Sequence, residues 1–134
     1  MALVFIVDMK NESSITTIYI VEDDPVLSLI LNRMVQKMNY SVIGNSESGK
    51  ESISKITELK PGIVLMDISL KDDIDGTMVA SEIVKAYNPT IIYITGNSDA
   101  KNKRKAEKSG YHDYLIKPIS FDQLKESIET SLDK

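Results

Sequence analysis

Four short apolar runs in this chain each stop at a polar residue. Ile18–Val21 runs into Glu22, Asp23 and Asp24, Ile63–Met66 into Asp67, Ile91–Ile94 into Thr95, and Tyr114–Ile116 into Lys117. Runs of this length, rich in β-branched residues, read as buried parallel strands. Between them the apolar spacing changes to the helical period. Asp24 and Pro25 open a first helix, since an aspartate caps free amides and proline suits the first helical position. Val26, Leu29, Ile30, Met34 and Met38 supply its apolar stripe. A second strand is expected near residues 40–45, and a second helix over about 49–59 with Ile53, Ile56 and Leu59, ended by Pro61 and Gly62. Asp75 and Gly76 open a third helix with Met78, Val79, Ile83, Val84 and Tyr87 inward, and Asn88-Pro89 stops it. A polar helix over about 98–109 closes at Gly110. A last helix begins at Ser120 and Gln123, a capping-box pair, and carries Phe121, Leu124, Ile128 and Leu132.

Five alternating βα units predict one doubly wound parallel sheet flanked by five helices, the α/β class, with right-handed crossovers. The flavodoxin-like strand order 2-1-3-4-5 is expected, which sets the first and third strands side by side. Ligands in such sheets bind outside the carboxyl ends of the strands. Glu22, Asp23 and Asp67 should therefore meet there, joined by the Thr95 hydroxyl and the Lys117 ammonium. Crowded carboxylates repel one another, and a divalent cation removes that cost. Mg²⁺, with Mn²⁺ as an alternative, suits one or two carboxylates plus phosphate oxygens and retained waters. Asp23 and Asp67 are the expected direct ligands, Glu22 acts through bound water, and the backbone carbonyl of Ser69 adds a further oxygen. Asp67 is also the expected nucleophile, because carboxylates form aspartyl-phosphate intermediates. The three equatorial phosphoryl oxygens would be shared among Mg²⁺, Lys117 and Thr95.

Composition narrows the alternatives. A length of 134 residues with 42% hydrophobic positions fits one domain with a proper core, over residues 15–134. A net charge of −4 argues against a direct nucleic-acid binder. With no cysteine there is no disulfide, thiol catalysis or thiolate metal site, a usage compatible with the cytoplasm. Residues 1–14 are expected to be a leader or added extension. The apolar start, Met1–Val7, is too short to span a bilayer and lacks the marks of a signal peptide.

At this point the chain resembles the receiver domains of two-component response regulators, over about residues 15–133. The matching positions are Glu22-Asp23, Asp67, Thr95, Lys117-Pro118 and the Asp75-Gly76 turn; Tyr114 stands where the family carries an aromatic switch residue. Receivers share the 2-1-3-4-5 order, so fold and resemblance form a single expectation. The resemblance implies a signalling switch in a phosphorelay rather than a turnover enzyme. It accepts phosphate onto Asp67 from a sensor histidine kinase, a histidine phosphotransfer protein or a small phosphodonor, and it dephosphorylates itself. Thr95 and Tyr114 would couple the phosphate to the face formed by the fourth helix, fifth strand and fifth helix, where an output protein or domain, or a second copy in a homodimer, would dock. No membrane partner is implied. The Lys117-Pro118 peptide bond is expected to be cis. Ser69 and Asn97, two residues past Asp67 and Thr95, flank the phosphate in the family.

Two features depart from the family pattern. The stretch Ile68–Gly76 looks one residue longer than in most receivers, lacks the usual proline, and has Asp72 where a glycine is expected; it reads as a solvated acidic loop, with a second cation site as the alternative. In the fourth helix Lys101, Lys103, Arg104, Lys105 and Lys108 face only Asp99 and Glu107, and Ala100 and Ala106 are its apolar anchors. That helix should dock weakly, either as a solvated face or as a basic surface for an acidic partner. The lone His112 reads as a surface or loop residue. Two rivals remain: a pseudo-receiver that is never phosphorylated, and a haloacid-dehalogenase-type phosphohydrolase, which would want an aspartate where Ser69 stands.

Overall fold

A computed structural model of the chain describes residues 16–96 and 100–133. The expectations for residues 1–14, for Asn97 and for the Ser98–Asp99 start of the fourth helix lie outside them. Five parallel strands, β1 (Thr17–Val21), β2 (Ser41–Ser46), β3 (Ile63–Met66), β4 (Thr90–Thr95) and β5 (Asp113–Ile116), line up in the order β2-β1-β3-β4-β5. Between and after them run α1 (Pro25–Lys37), α2 (Gly49–Leu59), α3 (Gly76–Ile83), α4 (Ala100–Ser109) and α5 (Phe121–Leu132). The α/β class and the order expected from the sequence are both present.

Sheet residues alternate between two apolar layers, as the period of two requires. Tyr19, Val21, Val64, Met66, Ile91 and Tyr93 pack with Ile56 of α2, Val79 and Ile83 of α3, and Ala106 of α4. Ile18, Ile20, Ile63, Leu65, Ile92 and Ile94 pack with Leu31 and Val35 of α1 and Leu124 and Ile128 of α5. The central strands are covered on both faces, which is why β1, β3 and β4 read as unbroken apolar runs.

Helix starts follow local chemistry. The Asp24 carboxylate accepts from the Val26 and Leu27 amides, and the Asp75 carboxylate from those of Thr77 and Met78. Ser120 and Gln123 form the reciprocal capping box. The α2 boundaries match the sequence reading, but the helix ends on Lys60 in the left-handed region (φ 48°), ahead of Pro61. The Lys117-Pro118 bond is cis.

The expected apolar stripes differ from the structure in four helices: Leu59 at the end of α2 and Leu132 at the end of α5 are exposed, and the larger differences lie in α1 and α3. In α1, Val26, Leu29 and Ile30 face solvent, while Leu31 and Val35 are buried with Leu27, Met34 and Met38 beside them. In α3, Met78 is exposed and Ala80 is buried instead. Both segments are apolar at more positions than one stripe can use, so spacing alone allows several faces.

Candidate phosphoryl-transfer site

Among the described residues, every predicted site residue except Tyr114 sits at or just past the carboxyl end of a strand. The strand ladder continues one step beyond the apolar runs. The Glu22 amide donates to the Ser46 carbonyl (3.0 Å), that of Asp67 to Val21 (2.9 Å), and that of Lys117 to Thr95 (2.9 Å). Sheet hydrogen bonding thus fixes the backbone of Glu22, Asp67 and Lys117. Because β1 lies next to β3, the acidic residues that follow them become neighbours.

Among the described residues, Glu22, Asp23 and Asp67 each offer a carboxylate oxygen, and these atoms lie within 4.8 Å of one another. Glu22 and Asp67 are buried, and Asp23 is half-buried on the open side. The Lys117 ammonium bridges the pair. It donates to Asp67 Oδ2 at 2.9 Å and stands 2.8 Å from Glu22 Oε1, an ion pair that lies off hydrogen-bonding direction. Asp67 Oδ1 accepts from the Ile68 amide (2.7 Å), and Glu22 Oε2 from that of Asp24 (3.1 Å). Thr95 ends β4, is buried, and is paired in register with Ile116 of β5. Ser69 is exposed on the loop past Asp67.

The electrostatics follow from burial. Desolvation pushes the Glu22 carboxyl up to about 7, against the lowering contacts of Lys117 and the Asp24 amide, and the nearby Asp67 charge pushes the same way. Burial opposes the charge on Lys117, but its close contacts with the Glu22 and Asp67 carboxylates outweigh that, so its pKa is raised. A pocket that holds an acid near neutrality by crowding and burial gains from a cation; three hard oxygen donors on one face fit Mg²⁺.

The turn into α3 shapes the Asp67 backbone from below. The Gly76 amide donates to the Ile68 carbonyl (2.8 Å), and a Cβ at Gly76 would overlap the Asp67 carbonyl oxygen. Only glycine lets α3 start this close to Asp67.

Sequence reasoning missed the role of Asp72. Its carboxylate accepts from the Gly49 amide (2.7 Å) and the Lys50 amide (3.0 Å) at the start of α2, next to the Ser48 cap. These backbone bonds hold its pKa below the usual range. The neighbouring Lys71 pairs with Glu47. The stretch expected to be a solvated acidic loop is thus tied to the β2–α2 loop, and Asp72 is a helix cap. Three residues after Ser46, Gly49 was the available signal: its Cβ would run into Ile74.

Tyr114 lies in β5, three residues before Lys117. Its ring packs on Tyr93 (centroids 5.6 Å apart) and Tyr111 (5.7 Å), with the Lys103 ammonium 5.8 Å from its centroid. His112 is at the opposite end of the sheet from Asp67, where its Nε2 meets the Thr130 hydroxyl at 2.8 Å.

Comparison with known proteins agrees with this geometry. The response regulator receiver domain profile matches residues 18–129. The chain is 30% identical over 113 residues to the probable C4-dicarboxylate response regulator DctR of Halalkalibacterium halodurans, covering 83% of this chain and 49% of that protein. It is 30% identical over 112 residues to the chemotaxis protein CheY of Thermotoga maritima, covering 83% of this chain and 92% of that protein. A CheY-like receiver domain structure from Methanospirillum hungatei superposes with a TM-score of 0.84 at 26% identity, over 90% of this chain and 95% of that one. The chain thus spans about half the length of the dicarboxylate regulators it matches. Among the described residues no helix is long and apolar enough to cross a membrane. A profile match over most of the chain, on a sheet that gathers the acids beside Lys117, makes this protein a member of the response regulator receiver domain family, a signalling fold of two-component systems.

Proposed function

We propose that this domain is a Mg²⁺-dependent phosphoacceptor switch with Asp67 as the site of modification. The observation that carries the reading is the Asp67 carboxylate held between Lys117 and the acids Glu22 and Asp23. An Asp67 oxygen attacks phosphorus in line, and the P–N bond of a donor phosphohistidine breaks. The imidazole leaves with the bonding pair and takes up a proton. Lys117, released from Asp67 Oδ2, donates to one phosphoryl oxygen and the Thr95 hydroxyl to another. Glu22, Asp23, Asp67 and the Ser69 carbonyl would hold Mg²⁺, which supplies positive charge for the remaining oxygen. Hydrolysis by water at phosphorus returns the free carboxylate, so the domain resets itself without turning over an external substrate.

The donor would be a sensor histidine kinase or a histidine phosphotransfer protein in the cytoplasm. The exposed Val26, Leu29 and Ile30 of α1, just past the acidic run, give such a donor an apolar landing surface beside the acceptor. Bonding of Thr95 to the phosphoryl group would shift an existing equilibrium in which Tyr114, between Tyr93, Tyr111 and Lys103, reports to the α4–β5–α5 face. An output protein or domain, or a second copy, would read that face.

The test is incubation with Mg²⁺ and acetyl phosphate, followed by mass spectrometry under conditions that preserve acyl phosphates. One phosphoryl group on Asp67, absent without Mg²⁺ and absent in Asp67→Asn, is expected. A label retained in Asp67→Asn, or no label on the intact protein, overturns the assignment. Asp23→Ala should weaken Mg²⁺ binding at least tenfold, and an unchanged titration would remove Asp23 from the ligand set.

A further inference from the structure

The five bases of α4 do not all point at Tyr114. Lys103 reaches over that ring, on the β5 side. Lys105 and Lys108 point the other way and line a groove of about 570 Å³ running across α2, α3 and α4. Its apolar lining comes from Ile53 of α2, Ile74 of the acceptor loop and Met78 of α3, and Glu82 stands at the far edge. Met78 is 47% exposed, although its helix is otherwise well packed, with Val79, Ala80 and Ile83 fully buried. An exposed methionine over such a floor is an adaptable contact surface.

The charges at the rim are unequal. Lys108 forms no ion pair with any described residue, and Lys105 reaches Asp75 only at 4.0 Å. Glu82 is already engaged by Lys85 at 2.9 Å. Lys108 therefore presents a charge with no ion-pair partner among the described residues beside apolar surface, on a helix whose described residues Ala100–Ser109 set Lys101, Lys103, Arg104, Lys105 and Lys108 against Glu107 alone.

We propose that the α2–α3–α4 groove is a second docking site, distinct from the α4–β5–α5 face, and that it takes an acidic amphipathic helix of a partner protein. Apolar side chains of that helix, one turn apart, rest on Ile53, Ile74 and Met78. Its carboxylates pair with Lys105 and Lys108, and the charge complementarity sets the partner's sign. The site also has a line to the acceptor. Ile74 lies against Gly49, and the next residue, Asp75, caps α3 and precedes Gly76, which touches Asp67. A helix clamped on Ile74 would hold the acceptor loop in one arrangement, so its affinity and that of Mg²⁺ for the acidic pocket would be reciprocally linked. Docking itself does not depend on phosphorylation of Asp67.

The probe is a synthetic 16-residue helical peptide with leucine at positions i, i+3 and i+7 and glutamate on the flanking faces, added to the ¹⁵N-labelled full chain. Amide shifts confined to the neighbourhood of Ile53, Ile74, Met78, Lys105 and Lys108 are expected. The affinity should fall about tenfold in Met78→Glu and in Lys108→Glu, and fall again in 0.5 M NaCl. Both substituted side chains are exposed, and unchanged dispersion elsewhere in the spectrum will show that each variant is folded. Equal binding by the peptide with lysine in place of glutamate overturns the proposal. So do shifts centred on Val26, Leu29 and Ile30 of α1, shifts centred on Tyr114, or the same affinity in Met78→Glu. Concentration-dependent dimerisation that buries the groove, and that Lys108→Glu abolishes, would assign it to a second copy and also overturn the proposal.

Discussion

Helices α4 and α5 flank the same edge strand, are of similar length, and are held in opposite ways. In α5, Leu124, Ser127 and Ile128 are buried and the capping box closes the first turn. In α4, Ala106 is the one buried residue among Ala100–Ser109, and the long charged Lys103 side chain reaches over Tyr114. Isolated helices of ten or twelve residues are marginal in water, so packing decides how tightly each is held. A leucine and an isoleucine buried on α5 outweigh one alanine methyl on α4 by several methylene groups, each about 0.8 kcal/mol. The difference teaches that the domain has a rigid wall and a loose wall on either side of β5. The loose wall is the next helix in the chain after β4, the strand that ends in Thr95.

The strongest way to break the contrast is to cut the anchor of α5. Leu124→Ala should lower stability by about 2–5 kcal/mol, because it removes a fully buried side chain from a close-packed layer. Urea denaturation measures it, and a loss below 1 kcal/mol would mean that α5 is not the rigid wall. A second lever is pH in cation-free buffer. Glu22 in the fold has its carboxyl at about 7, above its unfolded value of 4.5, so the folded state holds that proton more tightly than the unfolded chain does. Stability from this source is complete below pH 4.5 and is lost as pH rises through 7, on the order of 1–3 kcal/mol. Because α5 should open only with the whole fold and α4 locally, amide exchange, corrected for intrinsic rate, should show their protection gap narrowing as pH rises. Mg²⁺ at pH 8 should widen it again, and Glu22→Gln should flatten the pH dependence.

Smaller effects sharpen the comparison. At neutral pH the amides of α4 should exchange at least tenfold faster than those of α5, and equal protection would remove the idea of a loose wall. Ala106→Gly should cost about 1 kcal/mol in helix propensity plus the lost methyl contact, and should widen the exchange gap. Lys103→Ala should cost about 0.5–1 kcal/mol or less through the lost contact with Tyr114, seen as a slightly lower urea midpoint.

Much of this molecule was legible in the chain because its main signals are local. The runs ending at Glu22, Asp67, Thr95 and Lys117 gave four strands, and the requirement that β1 neighbour β3 brought the acids together. The caps at Asp24, Asp75 and Ser120 are contacts within three residues, so spacing reveals them. The parts that were hidden depend on distant partners or on a choice among equal faces. Leu29 and Leu31 of α1 look alike in sequence, and only the position of the sheet decides that Leu31 is buried and Leu29 exposed. Met78 was expected inward for the same reason. Asp72 sits 23 residues from Gly49, and no periodic pattern links them. The cis bond before Pro118 came from family resemblance rather than from the residues themselves.

The tie between Asp72 and the first amides of α2 bears on how such domains can be recombined. Grafting a foreign acceptor loop in place of residues 68–75 would leave Gly49 and Lys50 without their carboxylate, while a foreign β2–α2 connection would leave Asp72 with nothing to grip. The two connections form one transplantable cassette, and a chimera that exchanges either alone should inherit a misaligned rim around its acceptor.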